Sequence, residues 1–390
     1  TGVITWQYNS AWPSLIWQHY DYSLRPGGAY FGAKKACEPL HVQYSYNDSS
    51  IYVINSFYES FNNLKVSAKV YNWDMTEKYS NNVTINVGPD SSNDVFSIPS
   101  LGNLTTTYFL KLKLEDSLGN LISSNFYWLS TKPDTLNFAE TEWYYTPQSA
   151  FADFTDLAKL PPVNLNVSYE IENKDTDIVA HVTIENPTDD IAFFIHIAVT
   201  KGPRGKEVLP IFWDDNYFSL LPGENKEVHA TFAAKDLNGT TPVVEIKGWN
   251  IIRHDITITN VIPSKTVIGQ GNLLSINVTI ENQGDSTEDF NVTAYYDDTA
   301  ITLPNGKNYT TINLTSGNST TLTLTWNTTG FDKGNYTIWA HAWPIPDEMN
   351  IEDNTFIYGF VQVVMLGDIT ADGKVNIYDL REVAKAYGSK

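Results

Sequence analysis

The residues best spaced for chemistry lie near the end of the chain, in Gly367–Leu380, which reads GDITADGKVNIYDL. Asp368, Thr370, Asp372, Lys374, Asn376 and Asp379 fall at positions 1, 3, 5, 7, 9 and 12 of a loop, with Gly373 at position 6. That spacing suits Ca²⁺, a hard cation that takes about six to eight oxygen ligands. Three carboxylates, the Thr370 hydroxyl, the Lys374 carbonyl and Asn376, directly or through water, would supply them. Asp379 would be bidentate, and Gly373 would take the sharp turn. A helix is expected to follow from Ile377 to Tyr387, with an apolar stripe of Leu380, Val383, Ala384 and Tyr387. Ca²⁺ is therefore the expected cofactor. A structural calcium staple is the favoured role; a docking helix and a metal-free acidic turn are the alternatives.

The second stretch with chemical character is the opening, Thr1 to Leu40. Val3, Ile4, Thr5 and Trp6 read as a buried β-branched strand. An aromatic loop follows, with Tyr8, Trp12, Pro13, Trp17, Tyr20 and Tyr22, and then Gly27-Gly28 and a short helix over Ala29–Cys37. Strand, aromatic loop and helix make the last βα unit of a (β/α)8 barrel, a fold whose ligand contacts sit at the C-terminal ends of its strands. The expectation is a chain that begins just before the last strand of a severed barrel.

These two stretches flank a long β region. The 390 residues allow about two to four domains, and 42% hydrophobic content supports proper cores. Twenty-five Lys and Arg against 45 Asp and Glu leave a net charge of −20, which opposes nucleic-acid binding. The same charge favours solubility and would attract a polyamine sugar. One cysteine, Cys37, excludes an intrachain disulfide and is expected to be small and buried. No apolar run reaches the length of a membrane span. Among twelve Asn-x-Ser/Thr sequons, seven crowd the third sandwich: Asn277, Asn291, Asn308, Asn313, Asn318, Asn327 and Asn335. That density points to an exported, glycosylated surface, extracellular or on the cell surface.

The expected fold is mostly β, with three immunoglobulin-like β-sandwiches in a row. Strands of alternating hydrophobicity, separated by Asn-Asp, Gly-Pro-Asp and Gly-Asn turns, fill residues 40–131 at the count of such a sandwich. Residues 132–162 carry prolines and the cluster Trp143-Tyr144-Tyr145, and read as a linker packing on its neighbours. The cluster suits either a sugar platform or apolar glue. Residues 163–252 form a second sandwich and residues 253–365 a third, leaving 1–39 as the barrel end and 366–390 as loop and helix. An internal echo links the last two sandwiches: Val182–Asn186 and Val278–Asn282 both read VTIEN.

Several long segments resemble glycoside hydrolase family 2, in its exo-β-D-glucosaminidase branch. They are GVITWQYNSAWPSLIWQHYDYSLRPGGAYFGAKKACEPLHVQYSYND at the start, SSNFYWLSTKPDTLNF at 123–138, WYYTPQSAFADFTDLAKLPP at 143–162, and EVLPIFWDDNYFSLLPGE with PVVEIKGWN. The endo-β-mannosidases are similar in the same regions. The resemblance implies that Trp6 ends strand eight and floors the terminal-sugar subsite, with Asn9 and Trp12 on the same loop. Aromatic rings cover the C–H faces of sugars, and Asn binds hydroxyls. The alternative is that Trp6 and Trp12 plug the barrel's end. It also implies a retaining hydrolase of β-linked glucosamine, as in chitosan oligosaccharides, whose two catalytic Glu lie upstream. No catalytic residue is then expected in this chain, and its carbohydrate substrate would be met through the missing barrel.

The third sandwich, with NQGDSTEDFNVTAYYD and DEMNIEDNTF, resembles the cell-adhesion-related CARDB module, which implies a spacer with a cell-surface or matrix partner. GDITADGKVNIYDL resembles a dockerin repeat. Thr370 in place of Asn or Asp, and a single repeat, argue against a cohesin-like partner. A competing expectation is an adhesive surface protein or assembly subunit that reuses a glycosidase tail.

Overall fold

The computed structural model describes residues 8–14, 18–202, 205–346, 348, 350–370 and 372–388. It forms two compact units. The first comprises Thr1–Val199, Glu207–Thr240 and Ile246–Ile251; the second comprises Thr200–Lys206, Thr241–Glu245 and Ile252–Lys390. Strands dominate throughout, as the alternating pattern requires.

In the first unit, helix α1 (Gly28–Ala36) precedes a seven-strand sandwich. Its strands are β1 (Leu40–Tyr44), β2 (Ser50–Asn55), β3 (Phe61–Asn72), β4 (Glu77–Val87), β5 (Ser91–Ser97), β6 (Thr107–Glu115) and β7 (Leu121–Ser130). The sheet β1-β2-β5 faces the sheet β4-β3-β6-β7. Period-two alternation decides what goes inside: Leu64, Val66, Ala68 and Val70 of β3 meet Leu110, Leu112 and Leu114 of β6 in the core.

The opposite face of β6 should be wet, yet Phe109 is fully buried there. It joins Tyr71, Phe126, Ile191, Phe193, Leu157 and Leu160 in a separate apolar cluster. Segment 132–162 supplies part of this seam. It starts as a ribbon of β8 (Thr135–Leu136) and β9 (Gln148–Ala150) and ends in a 3-10 turn at Thr155–Lys159. Buried Asp156 in that turn accepts the Thr107 N–H at 3.0 Å and pairs with Lys159 at 2.7 Å.

The second sandwich carries β10 (Asn166–Lys174), β11 (Asp177–Glu185), β12 (Ala192–Lys201), β13 (Phe212–Trp213), β14 (Phe218–Leu220), β15 (Asn225–Ala233) and β16 (Pro242–Lys247). One sheet runs β10-β11-β15-β13, and β12 pairs with β14 in the other. Between Ala192 and Ile195 the β12 register shifts, and Phe194 sits in the left-handed region at φ 55°. A bulge re-aims side chains locally. This one presents Phe193 to Phe109 at 5.8 Å, and both Phe193 and Phe194 to Trp128. The Asn250 side chain accepts the Phe193 N–H at 2.9 Å and Ser219 Oγ accepts that of Phe194 at 3.0 Å, which holds the strained backbone in place.

Beside the apolar seam, Glu224 bridges from the second sandwich to Lys111 at 3.3 Å and Lys113 at 2.9 Å. Burial pushes the Glu224 carboxyl up, but the two ammonium groups and the Leu221 N–H outweigh it and hold it below the usual range. Burial drives Lys111 down, opposed by Glu224.

In the second unit the third sandwich comprises β17 (Ile256–Pro263), β18 (Val267–Gly269), β19 (Leu273–Asn282), β20 (Glu288–Tyr296), β21 (Thr299–Ala300), β22 (Thr310–Leu314), β23 (Ser319–Asn327), β24 (Gly334–Ala342) and β25 (Thr355–Val364). Sheet β17-β19-β23 faces β18-β25-β24-β20-β21, with β22 also on β20 and β18–β25 parallel. Trp326 fills its core, stacked on Tyr296 at 5.2 Å. Helix α2 (Ile377–Gly388) closes the chain.

The VTIEN echo has a physical meaning. Asn186 and Asn282 end equivalent strands and are fully buried. Each amide donates to the carbonyl four residues on (Asp190, 2.7 Å; Ser286, 2.8 Å) and to a strand-end carbonyl (Leu220, 3.1 Å; Leu314, 2.7 Å). Asn55 of the first sandwich does the same toward Glu59 (2.8 Å) and Gly88 (2.7 Å). The same latch thus recurs in all three sandwiches, a repeat the sequence displays only twice.

Phe109→Ala is expected to lower stability by about 3–5 kcal/mol, as full-size core truncations do. Urea denaturation of the 390-residue chain measures it, and a loss below about 1 kcal/mol would deny the seam its importance.

Candidate functional site

Three places hold the residues singled out from the sequence. The first is the opening stretch. Trp6 and the strand Val3–Trp6 lie outside the described residues, as does Trp17. Asn9 is exposed, donates to the Ser10 carbonyl at 3.2 Å and bridges to Tyr20 in parallel fashion. Trp12 is 68% exposed. Among the described residues neither lines the large cleft of about 920 Å³, which lies between α1, β6–β7 and the β14–β15 region.

What fixes this stretch is a run of rings: Tyr8 to Tyr20 at 5.0 Å, Tyr20 to Tyr30 at 5.1 Å, Tyr30 to Phe31 at 5.1 Å and Phe31 to Tyr217 at 5.9 Å. Burial, with hydrogen bonds to Tyr8 and Tyr30, drives the Tyr20 hydroxyl well above its ordinary pKa. Arg25 adds a close ion pair to Glu207, and Lys34 Nζ donates to the Asp214 carbonyl at 2.6 Å. Cys37, expected to be buried, is exposed, because it caps α1 at the point where the chain leaves the helix for β1. Trp143 and Tyr144 are 95% and 84% exposed at the tip of a tight turn closed by reciprocal Glu142–Tyr145 backbone bonds of 2.9 Å. They glue nothing among the described residues. The gluing part of the linker is Phe154, Leu157 and Leu160 instead.

The second place is the acidic loop. Asp368 and Asp379 are buried. Asp368 accepts the N–H groups of Asp372 (3.1 Å) and Gly373 (2.8 Å); Asp379 accepts those of Thr370 (2.9 Å) and Asn376 (2.7 Å), with the Thr370 hydroxyl at 2.9 Å. Those backbone bonds lower the Asp379 pKa to about 2. Gly373 takes φ 83°, where a Cβ would be strained, and Gly367 takes φ 94°. Asp372 accepts the Lys374 N–H at 2.9 Å, and Asn376 Oδ1 caps α2 through the Tyr378 N–H at 2.9 Å. The first and last positions of the loop are therefore each held by their own set of backbone donors. Leu380 of α2 is exposed, Ala384 likewise, and Val383 is half-buried.

The third place is the sequon field. Asn277, Asn308, Asn313, Asn318, Asn327 and Asn335 are exposed and Asn291 is half-buried. Asn277 and Asn291 accept cross-strand bonds from Thr323 (2.9 Å) and Thr311 (2.7 Å), so both side chains lie flat on the sheet.

The sequence reading missed the anchors of the opening stretch, Arg25, Glu207 and His196. Arg25 and Glu207 stand 182 positions apart in sequence, and no local spacing announces them. His196 stacks on Tyr217 at 4.7 Å and 26°. Burial first, then Arg25 and Lys247, push its pKa from 6.5 down to about 4.

Fold and sites together define a class: a tandem array of immunoglobulin-like β-sandwiches with an acidic, loop-and-helix end. Comparison with known domains refines it. Residues 47–132 match the mannosidase Ig/CBM-like domain, residues 143–251 the exo-β-D-glucosaminidase Ig-fold domain, and residues 253–347 the CARDB domain. The exo-β-D-glucosaminidase of Amycolatopsis orientalis is 43% identical over 255 residues, which are 64% of this chain and 25% of that protein. Its counterpart from Streptomyces avermitilis is 42% identical over 264 residues, 66% of this chain and 29% of that protein. The mannosylglycoprotein endo-β-mannosidase of Lilium longiflorum is 26% identical over 294 residues, covering 64% and 31%. The crystal structure of A. orientalis exo-chitosanase CsxA superposes with a TM-score of 0.61 at 43% identity, over 64% of this chain and 30% of that one. The chain is homologous to the C-terminal, immunoglobulin-like portion of exo-β-D-glucosaminidases and carries a CARDB domain beyond it. It spans about a quarter of the length of those curated relatives.

The His196 shift sets a pH dependence. The folded pKa lies below the ordinary 6.5, so the unfolded chain binds the extra proton between about pH 6.5 and 4. The contribution is complete above pH 6.5 and is lost as pH falls toward 4. The melting temperature of the wild type should drop across that window, and His196→Gln should flatten the drop. Equal slopes in both proteins would assign the acid sensitivity elsewhere.

Proposed function

We propose that this chain is the bracing portion of an extracellular, retaining glycoside hydrolase that releases β-linked glucosamine from chitosan oligosaccharides. The observation that carries the reading is the 43% identity to an exo-β-D-glucosaminidase, with residues 143–251 matching the exo-β-D-glucosaminidase Ig-fold domain. Its physical content is rigidity. A sugar subsite needs its aromatic floor held to a fraction of an ångström. The ring run from Tyr8 to Tyr217 and the Arg25–Glu207 pair tie the opening stretch to the second sandwich. In this reading Trp6, Asn9 and Trp12 contribute to the terminal-sugar subsite once the catalytic barrel is joined, and the barrel supplies both carboxylates. The 390-residue chain alone is expected to show no turnover of p-nitrophenyl β-D-glucosaminide; measurable hydrolysis would require a catalytic pair within it.

The second unit is the attachment end in this proposal. The CARDB sandwich acts as a spacer toward a cell surface or matrix, with its sequons glycosylated. Gly367–Leu380 binds Ca²⁺ through Asp368, Thr370, Asp372, the Lys374 carbonyl, Asn376 and Asp379, and serves as a staple for α2. Support comes from the ligand spacing, the left-handed Gly373 and the burial of both end carboxylates. EGTA should therefore increase proteolysis within residues 366–390, with Ca²⁺ restoring protection. An identical digestion pattern with and without chelator would remove the calcium assignment.

A further inference from the structure

We propose that the outer face of the second sandwich carries a binding site for a borderline divalent metal such as Zn²⁺, formed by His181, His229 and Glu227. In β11, His181 lies between the fully buried Ala180 and Val182; in β15, His229 and Glu227 flank the fully buried Val228. Strand parity therefore turns all three outward on one face. The ladder sets His181 directly opposite His229, their rings 5.0 Å apart and perpendicular at 85°.

One donor atom from each of the three residues lies within 4.8 Å of the others. Neighbouring ligands on a tetrahedral Zn²⁺, bound at about 2.0–2.2 Å, stand roughly 3.3–3.5 Å apart. His229 Nε2 and a Glu227 oxygen are already 3.4 Å apart, and a rotamer adjustment of His181 closes the rest. Two imidazoles and a carboxylate suit zinc, copper or nickel and not calcium.

The independent observation is Asp214. Its carboxylate accepts the His229 N–H at 2.8 Å from Nδ1, while its own backbone N–H donates to the His229 carbonyl at 2.9 Å. That contact leaves Nε2 as the lone-pair nitrogen and aims it at the group. A carboxylate behind a ligating histidine is the usual outer support of such sites. Glu172 lies 3.1 Å from His181 Nε2 and also pairs with Lys174, so it borders the site. The fourth position is left to water.

Calorimetric titration of ZnCl₂ into the Ca²⁺-saturated, 390-residue chain tests this, in a Cys37→Ser background that removes the exposed thiol. One site per chain is expected, abolished in His181→Gln/His229→Gln and weakened about tenfold or more in Asp214→Asn. Far-ultraviolet circular dichroism checks that the variants stay folded, which the half-buried outer-face positions of the two histidines and the exposed position of Asp214 favour. Absence of a site in the starting protein, or undiminished binding in the double histidine variant, would overturn the proposal.

Discussion

The first unit depends on a bulge. Residues 192–195 of β12 leave regular register, Phe194 adopts a backbone conformation that costs about 1–3 kcal/mol, and Phe193 and Phe194 are thereby delivered to Phe109 and Trp128. A regular strand would alternate these two rings across the sheet. The strain is sustained by hydrogen bonds to the bulge: Asn250 and Ser219 accept the N–H groups of Phe193 and Phe194, and the Phe193 carbonyl accepts the Trp249 N–H at 2.9 Å. The short apolar stretch Leu157–Leu160 then closes the seam from the linker side.

Around this seam the charges behave as a partly desolvated network. Lys111, Lys113 and Glu224 are held near one another beside it. Removing one partner of such a group costs more than the group contributes, since the remainder is left without its counter-charge. The opening stretch uses the same logic nearby, joined to the seam through Phe194 and Tyr217, where Arg25 meets Glu207 beside the depressed imidazole of His196. Aromatic stacking gives direction and ion pairing gives register, so the first forty residues stand as an ordered extension of the sandwich wherever they are described.

The buried asparagine latch shows how one polar side chain can define a sandwich corner. Asn55, Asn186 and Asn282 each join a strand end to a turn four residues on and to a second, distant carbonyl. Buried amides left without partners are costly, so the residue type is constrained although nothing catalytic depends on it. The VTIEN repeat is a packing signature. The acidic loop, by contrast, satisfies its two end carboxylates with backbone donors.

Much of the architecture was legible in the chain itself, because strands are written locally: alternation over β3, β6, β11 and β19, with turn residues between them, follows from period-two burial. The turn at Gly373 and the start of α2 were legible for the same reason, since the glycine and the residues that open the helix lie within a few consecutive positions. Tertiary structure alone decided three things. It buried Phe109 on a face that alternation assigns to water, because a second sandwich covers it. It left Trp143 and Tyr144 in solvent and Cys37 exposed, because a ribbon tip and a helix end project where no neighbour stands. And it set His181 opposite His229 with Asp214 behind, a pairing between residues far apart in sequence that only the register of a finished sheet can create.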